Sequence, residues 1–242
     1  MDVSVDGPSA TGQRENDPQA KPPSHRKNGA YGRAFRKLSG LENSNLQHDG
    51  IFLRNLDQSG AVDLAKFRTG QFDRGAGALR EGLWVLTSFV LFRLCPFKLS
   101  ALKRSVLRAF GAKVGQGVVI KPRVVITFPW KLTLGDNVWL GEECWLLNLD
   151  QIAIGSNVCL SQRAFLCTGN HDYESTSFDL IIRPIRVEEG AWVGAHAWIG
   201  PGVCVGTHAV VCAGSVVTKD LTPFGIYRGN PAVLVKRRQL QR

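Results

Sequence analysis

The amino-acid sequence predicts a mainly β protein whose centre is a parallel β-helix solenoid, preceded by a helical segment and followed by a C-terminal tail. Two observations predict this fold class. Aliphatic residues recur every six positions between residues 114 and 217, and a glycine often follows them directly. A six-residue period is neither that of an α-helix, 3.6, nor that of a simple strand, 2. It suits short strands joined by tight turns that wind into a narrow solenoid.

The six-residue repeat predicts an inward-facing row of aliphatic side chains. Its members are Val114, Ile120, Ile126, Leu134, Leu140, Leu146, Ile154, Leu160, Leu166, Val187, Val193, Ile199, Val205, Val211 and Val217. Steps of eight residues, from Ile126 to Leu134 and from Leu146 to Ile154, divide the first part into coils of about 20 residues. We therefore expect Val114, Leu134 and Ile154 to stack on one another. A second small or apolar residue usually follows four positions after each aliphatic residue.

Several segments resemble a known family. The hexads VGQGVV, LGDNVW, IGSNVC, VGAHAW, IGPGVC and VGTHAV resemble the repeats of the left-handed β-helix acyltransferases, over about residues 110–235. The segments CTGNHDY, EEGAWVGAHAWIGPGVCVG, CAGSVVTKD and YRGNPAVLVKRR resemble, more narrowly, the colanic-acid-biosynthesis-type acetyltransferases, which are relatives of the galactoside, maltose and serine O-acetyltransferases. The left hand is implied by this resemblance alone, because parallel crossovers are right-handed as a rule.

The chain divides into four predicted regions. Residues 1–50 are rich in Pro, Gly, Ser, Asn and charge, which predicts a disordered or loosely ordered extension. Residues 51–110 are predicted to be mixed and helical, and residues 111–222 form the β-helix domain with a loop at 168–186. Residues 223–242 are a C-terminal tail that the resemblance places at a coenzyme A site.

The strongest apolar run, Gly82–Phe92, lies within residues 80–110, which we expect to form helix in two pieces divided near Pro96. The run is too short to span a membrane, which needs about 20 apolar residues. A helix that packs on the protein is the favoured interpretation. A segment at the membrane surface is the alternative, since the basic residues Lys98, Lys103, Arg104 and Arg108 follow it.

Composition limits the partners and the compartment. The net charge of +10 and the pI of about 9.6 fit a solvated basic surface, a phosphate-bearing ligand, or nucleic acid or anionic lipid. No nucleic-acid-binding signature is present, so we expect no nucleic-acid partner. The six cysteines include no C-x-x-C pair and lie mostly among aliphatic residues, which indicates a reducing compartment without disulfides. The N-terminus has no apolar segment typical of a signal peptide, so we expect a cytoplasmic protein, with the inner face of the membrane as a second location.

His171 stands where the six-residue repeat breaks and a loop begins. Insertions in solenoids form loops on one face, often the binding face, although a plain loop histidine is the alternative. The resemblance places a catalytic histidine at this loop opening. Histidine suits acetyl transfer from a thioester to an alcohol, which needs a base with a pKa near 7. His196 and His208 occupy the fourth place of a hexad and are predicted to be polar turn residues.

Further acceptor-site residues are predicted around His171. Asn148 and Asp150 lie one coil earlier and are expected to approach His171. Asn148 is predicted to act with His171 in catalysis, against the alternative that it ends a turn, and Asp150 is predicted to bind the acceptor. Asp172 and Glu174 are candidates for binding sugar hydroxyls, against the alternative of solvated loop carboxylates. Arg183 closes the loop and resembles an arginine that sugar acetyltransferases use with the acceptor.

The resemblance also implies a site for acetyl-CoA as cosubstrate, without a metal ion. Anionic coenzyme A needs cations or backbone donors for its phosphates. The matching residues are Trp192, Ala195, Ala213, Gly214, Thr218, Lys219, Lys236 and Arg237. The backbone N–H of Ala195 is expected to contact the thioester, and Trp192 either lines the pantetheine channel or packs the outer wall. Val233 departs from the family, in which some sugar acetyltransferases have arginine.

The resemblance implies a homotrimer in which each acyl-CoA site lies between adjacent solenoids, and an O-acetyltransferase that acts on a saccharide. A small hydroxyl acceptor such as serine stays open. Two other classes also stay open: a zinc enzyme like the γ-carbonic anhydrases, which share the fold, and a non-catalytic assembly protein. The zinc enzyme is disfavoured, because His196 and His208 are predicted to lie on different faces of the solenoid and do not readily form one shared metal site with His171.

Overall fold

The computed structural model describes residues 60–70, 72–95 and 99–241. The predicted N-terminal extension, residues 1–50, lies outside the described residues, as does Pro96. A short 3₁₀-helix (Leu64–Lys66) comes first in the described chain, and a second one (Pro129–Lys131) lies within the solenoid. Two α-helices follow the first, α1 (Ala78–Ser88) and α2 (Ser100–Ala109), and a π-helical segment (Phe89–Leu94) continues α1. This agrees with a helical segment in two pieces. No helix in these ranges has the length and apolar character that a membrane span requires.

After α2 the chain forms a solenoid whose coils contribute parallel strands to three sheets, which make the faces of a triangular prism. Sheet 1 contains β1 (Lys113–Val114), β4 (Leu132–Leu134), β7 (Ile152–Ile154), β12 (Ile185–Val187) and β15 (Cys204–Val205). Sheet 2 contains β2 (Val119–Ile120), β5 (Trp139–Leu140), β8 (Cys159–Leu160), β13 (Trp192–Val193), β16 (Val210–Val211), β18 (Gly225–Arg228) and β19 (Val233–Arg237). Sheet 3 contains β3 (Val125–Ile126), β6 (Trp145–Leu147), β9 (Phe165–Cys167), β14 (Trp198–Ile199) and β17 (Val216–Val217).

The register of the strands confirms the predicted stacking of the repeat. Val114 pairs with Leu134, and Leu134 pairs with Ile154, each one coil above the last. Apart from the half-buried Val114, every member of the aliphatic row is at most 4% exposed. The second row, four residues later, is buried as well. The core is therefore a column of stacked aliphatic side chains, each layer packed between its neighbours along the axis.

The corners of the prism are tight turns, named here by the sheets they join as corner 1–2, corner 2–3 and corner 3–1. His196 lies at corner 2–3 with φ 58°, and His208 at corner 1–2 with φ 55°. Both histidines are turn residues, as predicted from their place in the hexad. The glycines that follow the aliphatic row permit close approach of successive coils. A Cβ on Gly194, for example, would lie 2.6 Å from the backbone nitrogen of Ala213.

The N-terminal helices cap the open end of the solenoid. The first coil presents backbone carbonyl groups that no preceding coil can pair, which is the problem of any sheet edge. Side chains of the helices donate to these carbonyls: Trp84 to Ile126, Ser100 to Ile120, Lys103 to Lys121, Arg104 to Val118, and Arg108 to Val114 and Gly115. These hydrogen bonds, here called the polar seal, pair the free carbonyl groups of the first coil. The cap also covers this end of the core with apolar side chains, of which Trp84, Phe92 and Leu107 are buried.

The C-terminal tail returns to the solenoid. Strand β18 pairs in parallel with β16 and antiparallel with β19, so the tail extends sheet 2 at its far edge.

Candidate active site

A β-hairpin replaces the tight turn at corner 3–1 of the third coil. Its strands, β10 (Gly169–His171) and β11 (Leu180–Ile182), are antiparallel, and His171 pairs with Leu180. The backbone N–H of Arg183 donates to the carbonyl oxygen of Thr168 at 3.0 Å, which closes the base of the hairpin. The predicted loop at 168–186 is thus an ordered excursion from the solenoid wall.

His171 is half-buried on this hairpin, and one of its ring nitrogens is already engaged. Its Nδ1 lies 3.1 Å from the carbonyl oxygen of Phe178. A carbonyl oxygen only accepts, so Nδ1–H is the donor and Nε2 of the neutral ring keeps its lone pair. The imidazole also stacks on the Phe178 ring, with centroids 4.4 Å apart and planes 6° from parallel.

The segment of residues 60–70 packs along the hairpin. The backbone N–H of Asp63 donates to Thr176 at 2.8 Å, and the N–H of Leu180 donates to Arg68 at 3.0 Å. Phe67 places its ring centroid 5.7 Å from that of His171. This contact was not predicted, because the segment carries no periodic pattern and its partner is more than 100 residues away in the sequence.

Lys131 is a second residue near this corner that no motif in the sequence indicates. Its ammonium donates to the carbonyl oxygens of Leu149, at 2.5 Å, and Asp73, and it lies 5.0 Å from the centroid of Phe72. Desolvation by burial lowers the pKa of Lys131, although the nearby carboxylates Asp150 and Asp73 oppose the shift. Lys131 therefore fastens the chain around residue 73 to corner 3–1.

Asn148 lies at the same corner, but its side chain forms hydrogen bonds with residues of the previous coil. Its side-chain oxygen accepts from the backbone N–H groups of Thr127, at 3.1 Å, and Phe128, at 2.9 Å, and its side-chain nitrogen donates to the carbonyl of Phe128. The residue is fully buried. The expected approach of Asn148 to His171 is therefore not found; the side chain closes a turn instead.

Asp150 is adjacent to the base of the hairpin, since its backbone N–H donates to the Thr168 hydroxyl at 3.1 Å. Its carboxylate accepts from the N–H of Gln151 at 2.6 Å. On the hairpin, the Asp172 carboxylate accepts from the N–H of Glu174 at 3.2 Å, which caps the turn. The Glu174 side chain is exposed and forms no hydrogen bond within the described chain.

Arg183 and Thr218 line one cavity of about 260 Å³ between the hairpin and sheet 3. Asn170, Ile181, Trp198 and Pro201 complete most of its wall. The Arg183 stem lies against Gly202, where an added Cβ would come within 3.1 Å of Cδ. No carboxylate pairs with Arg183 among the described residues, so its guanidinium is available to a ligand.

The predicted site residues divide between two separate parts of the prism. Corner 3–1 carries the predicted acceptor-site residues together with Thr218 and Lys219, which are both exposed. Sheet 2 and corner 2–3 carry Trp192, Ala195, Ala213, Gly214, Lys236 and Arg237. No hydrogen bond or aromatic contact of the described chain joins His171 to the second group.

The second group offers backbone donors and cations. The N–H groups of Ala195 and Ala213 have no acceptor within the described chain, whereas the Gly214 N–H donates to the Ala195 carbonyl at 2.8 Å. Trp192 donates through Nε1 to the Ser161 hydroxyl at 2.8 Å and is 47% exposed. In the tail, Arg237 donates to the Pro223 carbonyl at 2.9 Å, while Lys236 lines an open cavity with Arg237 and Arg238.

The three histidines of the solenoid lie at three different corners, so one chain does not bring them together. Among the residues that the structure describes, no cluster of His, Cys, Asp or Glu has the arrangement of a metal site.

The fold and the corner hairpin define this protein as a hexapeptide-repeat protein of the left-handed parallel β-helix class. A family model described as the hexapeptide repeat of succinyl-transferase matches residues 184–219. The chain is 41% identical over 176 residues to the putative colanic acid biosynthesis acetyltransferase WcaF of Escherichia coli (strain K12), an alignment that covers 73% of this chain and 97% of the relative. The chain therefore belongs to the hexapeptide-repeat acetyltransferases, and within them it is a relative of the colanic acid biosynthesis enzymes.

More distant similarities agree with the fold. The galactoside O-acetyltransferase of Escherichia coli (strain K12) is 26% identical over 137 residues, which cover 55% of this chain and 68% of that protein. A hexapeptide-repeat acetyltransferase of Vibrio cholerae, solved in complex with acetyl coenzyme A, superposes with a TM-score of 0.60 at 24% identity, covering 72% of this chain and 96% of that one. A galactoside acetyltransferase in complex with coenzyme A gives a TM-score of 0.59 at 23% identity, over 66% of this chain and 82% of that one.

Proposed function

We propose that the protein is an O-acetyltransferase that moves an acetyl group from acetyl-CoA to a hydroxyl group of a saccharide or a saccharide intermediate, with His171 as the general base. The family, and the relative named for colanic acid biosynthesis, support the reaction and the class of acceptor. The single observation that carries the role of His171 is its hydrogen bond to Phe178, which leaves Nε2 as a free acceptor on the exposed hairpin.

The reaction then proceeds by direct transfer. Nε2 of His171 takes the proton of the acceptor hydroxyl while the oxygen attacks the thioester carbonyl carbon. The resulting tetrahedral intermediate carries negative charge on the former carbonyl oxygen, which a fixed N–H donor stabilises. When the carbon–sulfur bond breaks, the imidazolium returns the proton to the thiolate, so CoA leaves as the free thiol.

The separation of the predicted residues supports an active site shared between two chains. His171 and Arg183 lie at corner 3–1, whereas Ala195, with its unpaired backbone N–H, lies at corner 2–3 of the same prism. A neighbouring solenoid that presents its corner 2–3 to this hairpin completes the site. The outward Trp139, Trp145 and Trp192, each about half-exposed, offer apolar area for such contacts. A homotrimer satisfies this arrangement with one type of interface.

The coenzyme A portion of the site would use backbone and cationic groups. The N–H of Ala195 contacts the thioester, Ala213 and Gly214 line the pantetheine arm with Trp192, and Thr218, Lys219, Lys236 and Arg237 supply polar and cationic groups for the phosphates. We place the reaction in the cytoplasm, because the six cysteines include no C-x-x-C pair and lie mostly among aliphatic residues, a pattern typical of a reducing compartment.

The test is release of the CoA thiol from acetyl-CoA in the presence of sugars, nucleotide sugars and serine. We expect release that depends on a saccharide, and a loss of about 10²–10⁴-fold in His171→Gln. The matched control is His208→Asn, which replaces a turn histidine at corner 1–2, away from both parts of the proposed site, by a residue that tolerates its positive φ of 55°.

Full activity in His171→Gln would remove His171 from the mechanism. A preference for serine over every sugar would replace the saccharide as the acceptor. Sedimentation equilibrium tests the oligomer separately, and a monomeric mass in an active enzyme would contradict the shared site.

A further inference from the structure

The outward face of the helical cap is apolar. Leu79, Leu83, Leu86 and Val90 are 88%, 55%, 62% and 53% exposed, and Leu94 at the end of the π-helical segment is 61% exposed. The steps of four, three and four residues place the first four on one side of a helix. A helix on a water-facing surface shows the opposite pattern, with charged residues outward.

These side chains are not part of the solenoid core. The inward face of the same helix is formed by Trp84 and Phe92, which are 2% and 1% exposed. Trp84 also donates through Nε1 to the Ile126 carbonyl at 3.0 Å, so the helix is fixed in this orientation. The outward face therefore cannot turn inward without breaking the cap.

The cap is also positively charged without compensation. Residues 72–113 contain eight lysine and arginine residues against two acidic ones, Asp73 and Glu81. Glu81 is already paired with Arg74. Among the described residues, Arg80, Arg93, Arg104 and Arg108 form no ion pair with a carboxylate. Arg80, Arg104 and Arg108 donate to backbone carbonyl oxygens of the protein and contribute charge only, whereas Arg93 has no such bond there. Arg93 is exposed and lies within the apolar segment itself.

We propose that this face, formed by Leu79, Leu83, Leu86, Val90 and Leu94 with Arg93, docks the protein on the surface of an anionic phospholipid bilayer. An apolar helical face with flanking cations is the arrangement of interfacial helices, which lie in the plane of the headgroups. Anionic headgroups supply the negative charge that the cap lacks. The proposal does not rest on the acetyl-transfer reaction.

Charge disfavours two other candidates for covering this face, which are a second copy of the protein and residues 1–59 of the same chain. A second copy that used the same face in a two-fold contact would bring the uncompensated cations of both caps together. Residues 1–59 of the same chain carry eight basic and seven acidic residues, so they offer no excess of negative charge.

The experiment is co-sedimentation of the full chain with vesicles of phosphatidylcholine and phosphatidylglycerol, compared with vesicles of phosphatidylcholine alone. We expect binding to the anionic vesicles that salt weakens. The triple variant Leu79→Gln, Leu86→Gln, Val90→Gln keeps helix propensity and should lose about tenfold or more in vesicle affinity. Arg93→Gln should lose about fivefold, since one cation near an anionic surface contributes about 1 kcal/mol.

The matched control is Leu64→Gln, because Leu64 is 65% exposed but lies outside the cap. Its vesicle affinity should equal that of the unmodified chain. No binding of the unmodified chain to anionic vesicles, or equal binding of the triple variant, would overturn the proposal. So would a lower oligomer mass of the triple variant in sedimentation equilibrium without vesicles, because that would assign the face to a second copy.

Discussion

His171 and Phe178 are joined twice across the corner hairpin. The Nδ1–H of His171 donates to the Phe178 carbonyl oxygen at 3.1 Å, and the two rings stack with centroids 4.4 Å apart. The hydrogen bond selects the tautomer, and the stacking selects the orientation of the ring. Since Phe67 lies against the same imidazole from residues 60–70, three parts of the chain determine where Nε2 is directed.

Phe67→Ala should lower kcat and leave KM for acetyl-CoA unchanged. Removing the ring frees one side of His171 without touching its hydrogen bond, so the proposed base is present but less well oriented. Small errors of position cost about tenfold to a hundredfold in rate. Steady-state kinetics measures the effect, with Leu64→Ala as the control in the same segment. A rise in KM for acetyl-CoA with kcat intact would contradict a positioning role.

Arg108→Met should destabilise the fold by about 1–3 kcal/mol, the range expected when hydrogen bonds from a charged donor are lost. Its guanidinium donates to the Val114 carbonyl at 3.0 and 2.8 Å and to the Gly115 carbonyl at 2.8 Å. Urea unfolding followed by circular dichroism gives the free energy of unfolding. Arg93→Met is the control, because Arg93 makes no such bond, and an equal loss in both variants would refute the polar seal.

Lys103→Met should change how stability depends on alkaline pH. Lys103 is fully buried, and desolvation lowers the pKa of its ammonium in the folded chain. The unfolded chain therefore binds this proton more tightly, so the contribution of Lys103 to the free energy of unfolding rises as the pH increases from the folded-state pKa to the unfolded one. The variant lacks this rise. Urea unfolding at a series of alkaline pH values should show the two curves diverging, and parallel curves would contradict the assignment.

Gly194→Ala should lower the free energy of unfolding by about 1–3 kcal/mol, because overpacking forces the backbone to move. The added Cβ would meet Ala213 N at 2.6 Å. Gly82→Ala provides a control of opposite sign. Gly82 lies within α1 with no atom within 4 Å of an added Cβ, so alanine should stabilise the protein by about 0.5–1 kcal/mol. Thermal unfolding of both variants measures the contrast, and a neutral Gly194→Ala would show that successive coils can separate without cost.

The solenoid was predictable from the sequence because its information is local and repeated. The six-residue spacing gives the row, and the eight-residue steps mark where each coil ends, so together they predict the stacking of Val114, Leu134 and Ile154. The location of the hairpin follows from the same rule, since His171 stands where the repeat stops. The hand of the helix came from the family resemblance, because the six-residue period does not depend on it.

The parts of the site that were not predicted depend on contacts between residues far apart in sequence. The pairing of residues 60–70 with the hairpin leaves no periodic pattern in the sequence. For Asn148, an asparagine can either orient a histidine or close a turn, so the residue type alone does not predict which contact it makes. Its three contacts with Thr127 and Phe128 show the second use.

The attachment of residues 60–70 to the hairpin has a consequence for how this scaffold acquires new substrates. The hairpin occupies one corner. The coils before and after it pair directly with each other through β7 and β12, and this pairing involves no residue of the hairpin. An exchange of residues 172–184, which keeps His171, therefore leaves the column of aliphatic layers unchanged. The exchanged hairpin would still need a matching partner on its outer side. Residues 60–70 and the hairpin, which are about 100 residues apart in the sequence, must thus be exchanged together, because they form one structural unit.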